Sequence, residues 1–186
     1  MPQKTSRYRR NGRFSTLQGG IQLATAGGSK RFLTWPAITA LTNGTDTAPV
    51  AGTRFTCSLL IPHNVTLTGL GYLLGTVGGT DLVILELHDA DGTLIANSAL
   101  AGTTAGTTAT FQEISFTAPV EVVGPCWYFL SVTMNGTTAR LRTIPTAVGV
   151  ASTQNTKSAT GTFGTLGTLT VPTTFTVNVG PIAYTF

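Results

Sequence analysis

The stretch "LVILELHDADGTLIANSAL", residues 82–100, gathers Glu86, His88, Asp89 and Asp91 into one short run. It reads either as an acid–base or metal-binding cluster or as two strands joined by a bend. Side chains along a strand point alternately to opposite faces. Val83, Leu85 and Leu87 then share one face, the natural core face, while Leu82, Ile84, Glu86 and His88 share the other. Asp89-Ala90-Asp91-Gly92 is made of turn formers, because Asp bonds back to its own chain and Gly takes positive φ. The apolar pattern resumes at Leu94-Ile95. The run therefore predicts a hairpin with Glu86 and His88 on its outer face. A calcium loop of the EF-hand type needs further oxygen ligands and a Glu well beyond the Gly; Leu94, Ile95 and Ala96 stand there instead. A looser calcium site on Asp89 and Asp91 is the alternative left open.

Working outward, the same strand–turn–strand pattern recurs. "RFTCSLLI" (54–61) stops at Pro62-His63-Asn64, and "VTLTGLGYLL" (65–74) alternates Val65, Leu67, Gly69, Gly71 and Leu73 with Thr66, Thr68, Leu70, Tyr72 and Leu74. "ATFQEISF" (109–116) puts Phe111 and Glu113 on one face and Gln112, Ile114 and Phe116 on the other. "VEVV" (120–123) leads through Gly124-Pro125 to "CWYFLSVTM" (126–134), and Asn135-Gly136 is a strong hairpin signal. "TARLRTI" (138–144) alternates, and the side carrying Arg140 and Arg142 is expected to face solvent. The Gly/Thr-rich stretches near 102–108 and 161–168 read as loops, and "IAYTF" closes the sequence as a strand. No segment combines helical spacing with caps. Strands of this length with frequent turns predict an all-β fold, a sandwich or barrel.

Composition agrees. Only 10% of the 186 residues are charged, against roughly 25% in soluble domains, while Thr, Val and Gly are abundant. A surface this poor in charge is expected to be covered in part by neighbouring subunits. Cys57 and Cys126 lack metal-site spacing and read as small buried thiols. No secretion signal and no bilayer-spanning apolar run is expected. Catalytic patterns are missing as well. Glu86 and Glu113 are the only remotely suitable glycosidase pair, His63 sits in a turn without an evident acid, and Gly75–Thr80 lacks the Lys of a phosphate loop. The expectation is a protein that is not an enzyme, with no cofactor and no metal.

The charge is unevenly placed. Residues 1–31 carry Lys4, Arg7, Arg9, Arg10, Arg13, Lys30 and Arg31 and no acid, whereas residues 32–186 hold four basic and seven acidic side chains. Residues 1–49 are read as an extended basic N-terminal arm and docking segment, and residues 50–186 as the β-sandwich. Tyr8 and Phe14 interleave rings with the cations. Such an arm can remain solvated, lie across an acidic protein surface and order on binding, or bind phosphates. Docking on protein is the expectation. Direct nucleic-acid contact is not, because the sandwich is mildly acidic and offers no basic continuation.

"GYLLGTVGGTDLVILELHDADGTLIANSALAG" followed by "FQEISFTAPVEVVGPCWYFLSVTMNGT" resembles the jelly-roll β-sandwich domains of tailed-bacteriophage virion proteins. These occur as capsid decoration (cement) proteins, head fibres and tail receptor-binding proteins. The resemblance covers about residues 65–137. It implies a jelly-roll-like antiparallel sandwich on the virion surface, made in the host cytoplasm, and a homo-oligomer, commonly a trimer. Its partner would be the major capsid protein, whose shell it would bridge and stabilise, with the partner-docking arm formed by Lys4, Arg7, Tyr8, Arg9, Arg10, Arg13, Phe14, Lys30 and Arg31. The alternative under the same resemblance is a tail or fibre protein with a carbohydrate-binding sandwich, for which Trp35, Tyr72, Trp127 and Tyr128 are the candidate stacking rings; of Trp127 and Tyr128, which alternate on one strand, one is expected in the core.

Overall fold

The computed structural model of the chain describes residues 22–24, 30–34, 44–145 and 154–186. These are strands, turns and loops throughout. The strands are β1 (Gln22–Ala24), β2 (Lys30–Leu33), β3 (Thr45–Thr47), β4 (Arg54–Ile61), β5 (Val65–Leu73), β6 (Leu82–His88), β7 (Leu94–Asn97), β8 (Thr103–Thr104), β9 (Phe111–Val122), β10 (Cys126–Met134), β11 (Leu141–Thr143), β12 (Thr156–Ala159) and β13 (Ala183–Thr185). One sheet runs β1-β2-β13-β5-β9 and the other β12-β4-β10-β6-β7, with β8 beside β6; β3 and β11 form a separate ribbon. Every pairing is antiparallel.

Setting aside the short additions β1, β3, β8, β11 and β12 leaves eight strands. In chain order, the first, eighth, third and sixth make one sheet, and the second, seventh, fourth and fifth make the other. That order is a jelly roll, in which two Greek keys wrap one core. The expected fold class is therefore the observed one. The pairing also runs across residue 50. β2, on the N-terminal side of that expected boundary, pairs Leu33 with Tyr184 and Phe32 with Thr185, and is the first strand of the roll.

The core forms where inward faces meet. Phe55, Leu59 and Ile61 of β4, Val83, Leu85 and Leu87 of β6, and Leu130, Val132 and Met134 of β10 come from one sheet. Phe32, Leu67, Leu70, Tyr72, Ile114, Phe116 and Ala183 come from the other. Each large aliphatic side chain removed from water contributes about 1.5–3 kcal/mol. The alternation read from 82–88 and from 109–116 holds. That of 65–74 does not hold throughout. Thr68 and Gly69 both donate their N–H groups to the Phe186 carbonyl, at 2.7 and 3.3 Å, and the β5–β9 register shifts between Leu67 and Gly69. This bulge inserts a residue and flips the side-chain parity. Leu67 lines the core before it, and Leu70, Tyr72 and Leu74 line it afterwards.

The flip turns Gly69 and Gly71 away from that set. A Cβ on Gly71 would lie 2.4 Å from the Tyr184 ring, and one on Gly69 would lie 2.4 Å from the Phe186 ring. The two aromatic residues roof the two glycines, and the Tyr184 hydroxyl reaches over β5 to donate to Glu113 Oε1 at 2.6 Å. β9 is continuous through Pro119, whereas two shorter segments are suggested by its sequence. Proline is tolerated because β9 is an edge strand, where a missing N–H interrupts no ladder.

Gly71→Val is expected to lower stability by about 1–3 kcal/mol through overpacking against Tyr184. Gly167→Ala, at a position with nothing within 4 Å, serves as the control and leaves the melting temperature in place. Thermal unfolding of the two variants checks this; equal melting curves would rule out the ring-on-glycine contact.

Candidate functional site

The arm residues singled out by charge are placed as follows. Lys4, Arg7, Tyr8, Arg9, Arg10, Arg13 and Phe14 lie outside the described residues. Lys30 and Arg31 stand next to each other on β2, in register with Ala24 and Leu23 of β1. The arm therefore leads into a strand of the roll.

The outer face of the β4-β10-β6 layer holds a second concentration of polar groups. Thr56 and Ser58 of β4, Ser131 and Thr133 of β10, and Glu86 and His88 of β6 all point away from the core, yet all are buried. Register explains why they meet: Ser131 lies opposite Thr56 on one side and Glu86 on the other. The Thr56 and Ser131 hydroxyls are 2.8 Å apart. Arg54 Nη2 lies 3.0 Å from Glu86 Oε2, and His88 Nε2 lies 3.3 Å from the same oxygen. Neither approach has hydrogen-bond alignment, so Glu86 Oε2 and both His88 ring nitrogens are buried without a hydrogen bond.

The expectation that Glu86 and His88 lie on the outer face is met, but that face is not open. The chain from 154 onward crosses it. Ser58 Oγ donates to Gln154 Oε1 at 3.2 Å and accepts the Asn155 N–H at 2.9 Å. Gly161 N–H donates to Gly52 C=O at 3.1 Å, and Leu169 N–H to Gly92 C=O at 2.9 Å. Between this cover and the sheet lies a cavity of about 20 Å³ that touches Arg54, Glu86 and Thr133. Beside it, a cleft of about 200 Å³ opens over Arg54, with Thr162, Thr165, Leu166 and Gly167 among its walls. Sequence reasoning missed both Arg54 and the cover. The available signal was the run of small polar residues alternating with apolar ones on β4 and β10, a polar face that needs a partner.

The 89–92 segment is the expected bend. Asp89 Oδ1 accepts the N–H groups of Asp91 at 3.0 Å and Thr93 at 2.8 Å, and Asp89 N–H donates to Thr93 C=O. Gly92 takes φ +84°, as a turn glycine does. The four acidic and histidine residues of the opening stretch thus split, Asp89 shaping the turn and Glu86 and His88 lying beneath the cover.

A third cluster centres on Asp46 of β3. Its carboxylate accepts the Thr76 N–H at 2.8 Å and the Thr76 hydroxyl, and faces Arg140 at 3.3 Å and Arg142 at 3.8 Å. Arg142 is buried, contrary to the expectation of a solvent-facing side for 138–144; only Arg140 is open to solvent. Burial alone would raise the Asp46 carboxyl, but the Thr76 hydroxyl and N–H and the two guanidinium groups outweigh it and hold the pKa below the ordinary value.

Of the candidate stacking rings, Tyr72 and Tyr128 are buried. Tyr72 donates its hydroxyl to Gln112 Oε1, and Tyr128 bonds both the N–H and the C=O of Val123. Trp127 is 41% exposed, near exposed Val123; Trp35 is outside the described residues. The two thiols are free, Cys57 buried and Cys126 half-buried, and burial pushes the Cys57 thiol up. Among the described residues, no group of three or more His, Cys, Asp and Glu side chains converges as metal ligands would, and no helix is long and apolar enough to cross a membrane. Comparison with known proteins found no family model and no curated protein that matches the chain.

Two outcomes follow from this geometry. Asp89→Ala is expected to lose about 1–2 kcal/mol with its two accepted hydrogen bonds, whereas Asp89→Asn keeps an Oδ1 acceptor and stays within about 0.5 kcal/mol of the parent. Chemical denaturation measures both, and a melting temperature that falls on adding chelator would contradict the bend reading. For Asp46, a lowered folded-state pKa means that its contribution is complete above the unfolded value. It is lost as pH falls below about 3.8 through the folded pKa. Asp46→Asn should therefore be less stable than the parent at neutral pH, with the gap closing toward pH 2–3 on a denaturation series.

Proposed function

We propose that this chain is a structural virion protein of tailed bacteriophages, a capsid decoration protein that binds and bridges major capsid subunits. The observation that carries the reading is the separation of charge from fold. Residues 1–21 hold Lys4, Arg7, Arg9, Arg10 and Arg13 without one acid, ahead of a jelly roll whose residues 32–186 are mildly acidic. On that jelly roll, Arg54, Arg140 and Arg142 are already paired with carboxylates. Three of the four cations of residues 32–186 are thus committed to carboxylates, whereas residues 1–21 hold five cations and no acid. An arm of this kind gains order by lying along an acidic protein surface, and gives attachment without enlarging the domain. The charge-poor, Thr-rich exterior suits lateral packing between copies, and an oligomer, on this reading a trimer, multiplies several modest contacts into durable attachment through effective concentration.

The runner-up is a tail or fibre receptor-binding protein with a carbohydrate-binding sandwich. Half-exposed Trp127 is the observation in its favour. Among the described candidates it is a single ring, since Tyr72 and Tyr128 are committed to the interior.

The test removes residues 1–21, which leaves β1 and β2 intact. The truncated protein should melt with the parent and should lose attachment to its particle by tenfold or more. Arg9→Ala and Arg10→Ala together should give an intermediate loss that deepens with salt. Full occupancy by the truncated protein would overturn arm docking. Counting copies per particle separates the two readings, because hundreds fit a shell and a handful fits a tail.

A further inference from the structure

We propose that residues 160–173 form a lid that opens as a unit and uncovers Arg54, Glu86 and Thr133. The inference stands apart from capsid attachment. It begins with the two ends of this segment, which meet. The Thr156 N–H donates to the Thr174 carbonyl at 3.0 Å. The Thr156 hydroxyl donates to the Thr176 carbonyl at 2.5 Å and accepts the Thr176 N–H at 2.7 Å. Thr156 is itself held in β12, opposite Cys57 of β4. A compact surface loop with its ends clasped together is an Ω-loop. Its movement breaks its own contacts and leaves the framework that carries it in place. Among the described residues, the hydrogen bonds that tie this loop to the roll are Gly161 N–H to Gly52 C=O at 3.1 Å and Leu169 N–H to Gly92 C=O at 2.9 Å.

What lies beneath the loop is poorly satisfied. Glu86 is 2% exposed and Thr133 6%. Both border the small cavity, whose other walls include Gly161, Thr162, Gly164 and Thr165 of the loop. Glu86 Oε2 and the Thr133 hydroxyl are buried there without a hydrogen bond. A buried polar atom left unpaired is costly to keep, and opening gives each of these atoms water as a partner. The two backbone bonds that break on opening are likewise exchanged for bonds to water. Arg54 and Glu86 both belong to the sheet, so opening separates no ion pair. Against opening stand Leu169, buried at 4% exposure, and the Phe163 ring, which lies against Gly102. Apolar contact therefore holds the lid shut, while the polar layer beneath works against it.

The test is native-state hydrogen exchange of the full chain, read at single amides by ¹H–¹⁵N spectroscopy where exchange reports the opening equilibrium. The Gly161 and Leu169 amides should share one opening, with constants that agree within about threefold and exceed that of the Ser131 amide in the sheet by about a hundredfold or more. The Thr156 and Thr176 amides of the clasp should open about tenfold or more less often than that pair. Thr133→Val nearly keeps the side-chain shape and removes one unpaired atom. It should lower the opening constant at Gly161 and Leu169 by about threefold or more, since the valine gains nothing from water. The parent protein alone already decides the first two outcomes, whatever the variant does. Gly161 and Leu169 protected as well as Ser131 would mean that the cover opens only with the whole roll. Unequal constants at Gly161 and Leu169, a clasp that opens along with them, or an opening constant unchanged or raised by Thr133→Val would each overturn the proposal as well.

Discussion

A β-sheet with an ion pair and a row of hydroxyls on its outer face can be buried only if something polar lies across it, and the second half of this molecule is arranged around that constraint. Glu86 is deep enough that an unpaired charge there would cost several kcal/mol. Arg54, two strands away on β4, answers it across β10, with Ser131 between them. The Gly/Thr-rich chain after residue 154 then provides backbone groups and hydroxyls where an apolar cover would leave polar atoms stranded. Thr156 shows how closely this is fitted: its hydroxyl bonds Thr176 at both C=O and N–H, folding the cover onto itself while β12 adds to β4. Small residues permit the close approach, as at Gly92, where a Cβ would strike the Leu169 carbonyl.

The fold class was legible because alternation survives wherever one face of a strand is apolar. Residues 82–88 declared their inward side chains correctly, the two faces of 109–116 separate as its alternation does, one of Trp127 and Tyr128 lies in the core as expected, and the Asp89–Gly92 turn was written in residues whose local chemistry needs no tertiary help. The bulge at Thr68–Gly69 was not legible, because it is imposed by the carbonyl of Phe186, more than a hundred residues away. Arg142 was misplaced for a similar reason. Its burial depends on Asp46 and the Gly44 carbonyl, partners that alternation within 138–144 does not reveal. The cover carried no period at all. Its conformation is set by hydrogen bonds to β4, to Gly52 and to the β6–β7 turn, so a low-complexity reading as loop was true of its local chemistry and silent about its position.

The same asymmetry marks function. A cluster of cations in the first 31 residues is evident from composition, but on the proposed reading their partner is another molecule, about which this sequence is silent. The Arg54–Glu86 pair is the reverse case. Glu86 stands out in the sequence but Arg54 does not, and only the register of β4, β10 and β6 brings them together.

β13 lies between β2 and β5 in the middle of its sheet, and its link to the first strand spans nearly the whole chain. The Thr34 hydroxyl donates to the Ala183 carbonyl and accepts the Ala183 N–H across a separation of 149 residues. During synthesis, then, the β2 and β5 strands wait with their facing edges unpaired until residues 183–185 leave the ribosome. The first Greek key can gather, but the sheet cannot close. Contacts of such sequence separation make for slow folding, and waiting edges are where nascent chains pair wrongly with one another. The roll is thus completed only once its last strand has been made, and until then the unpaired edges of β2 and β5 are its most aggregation-prone feature.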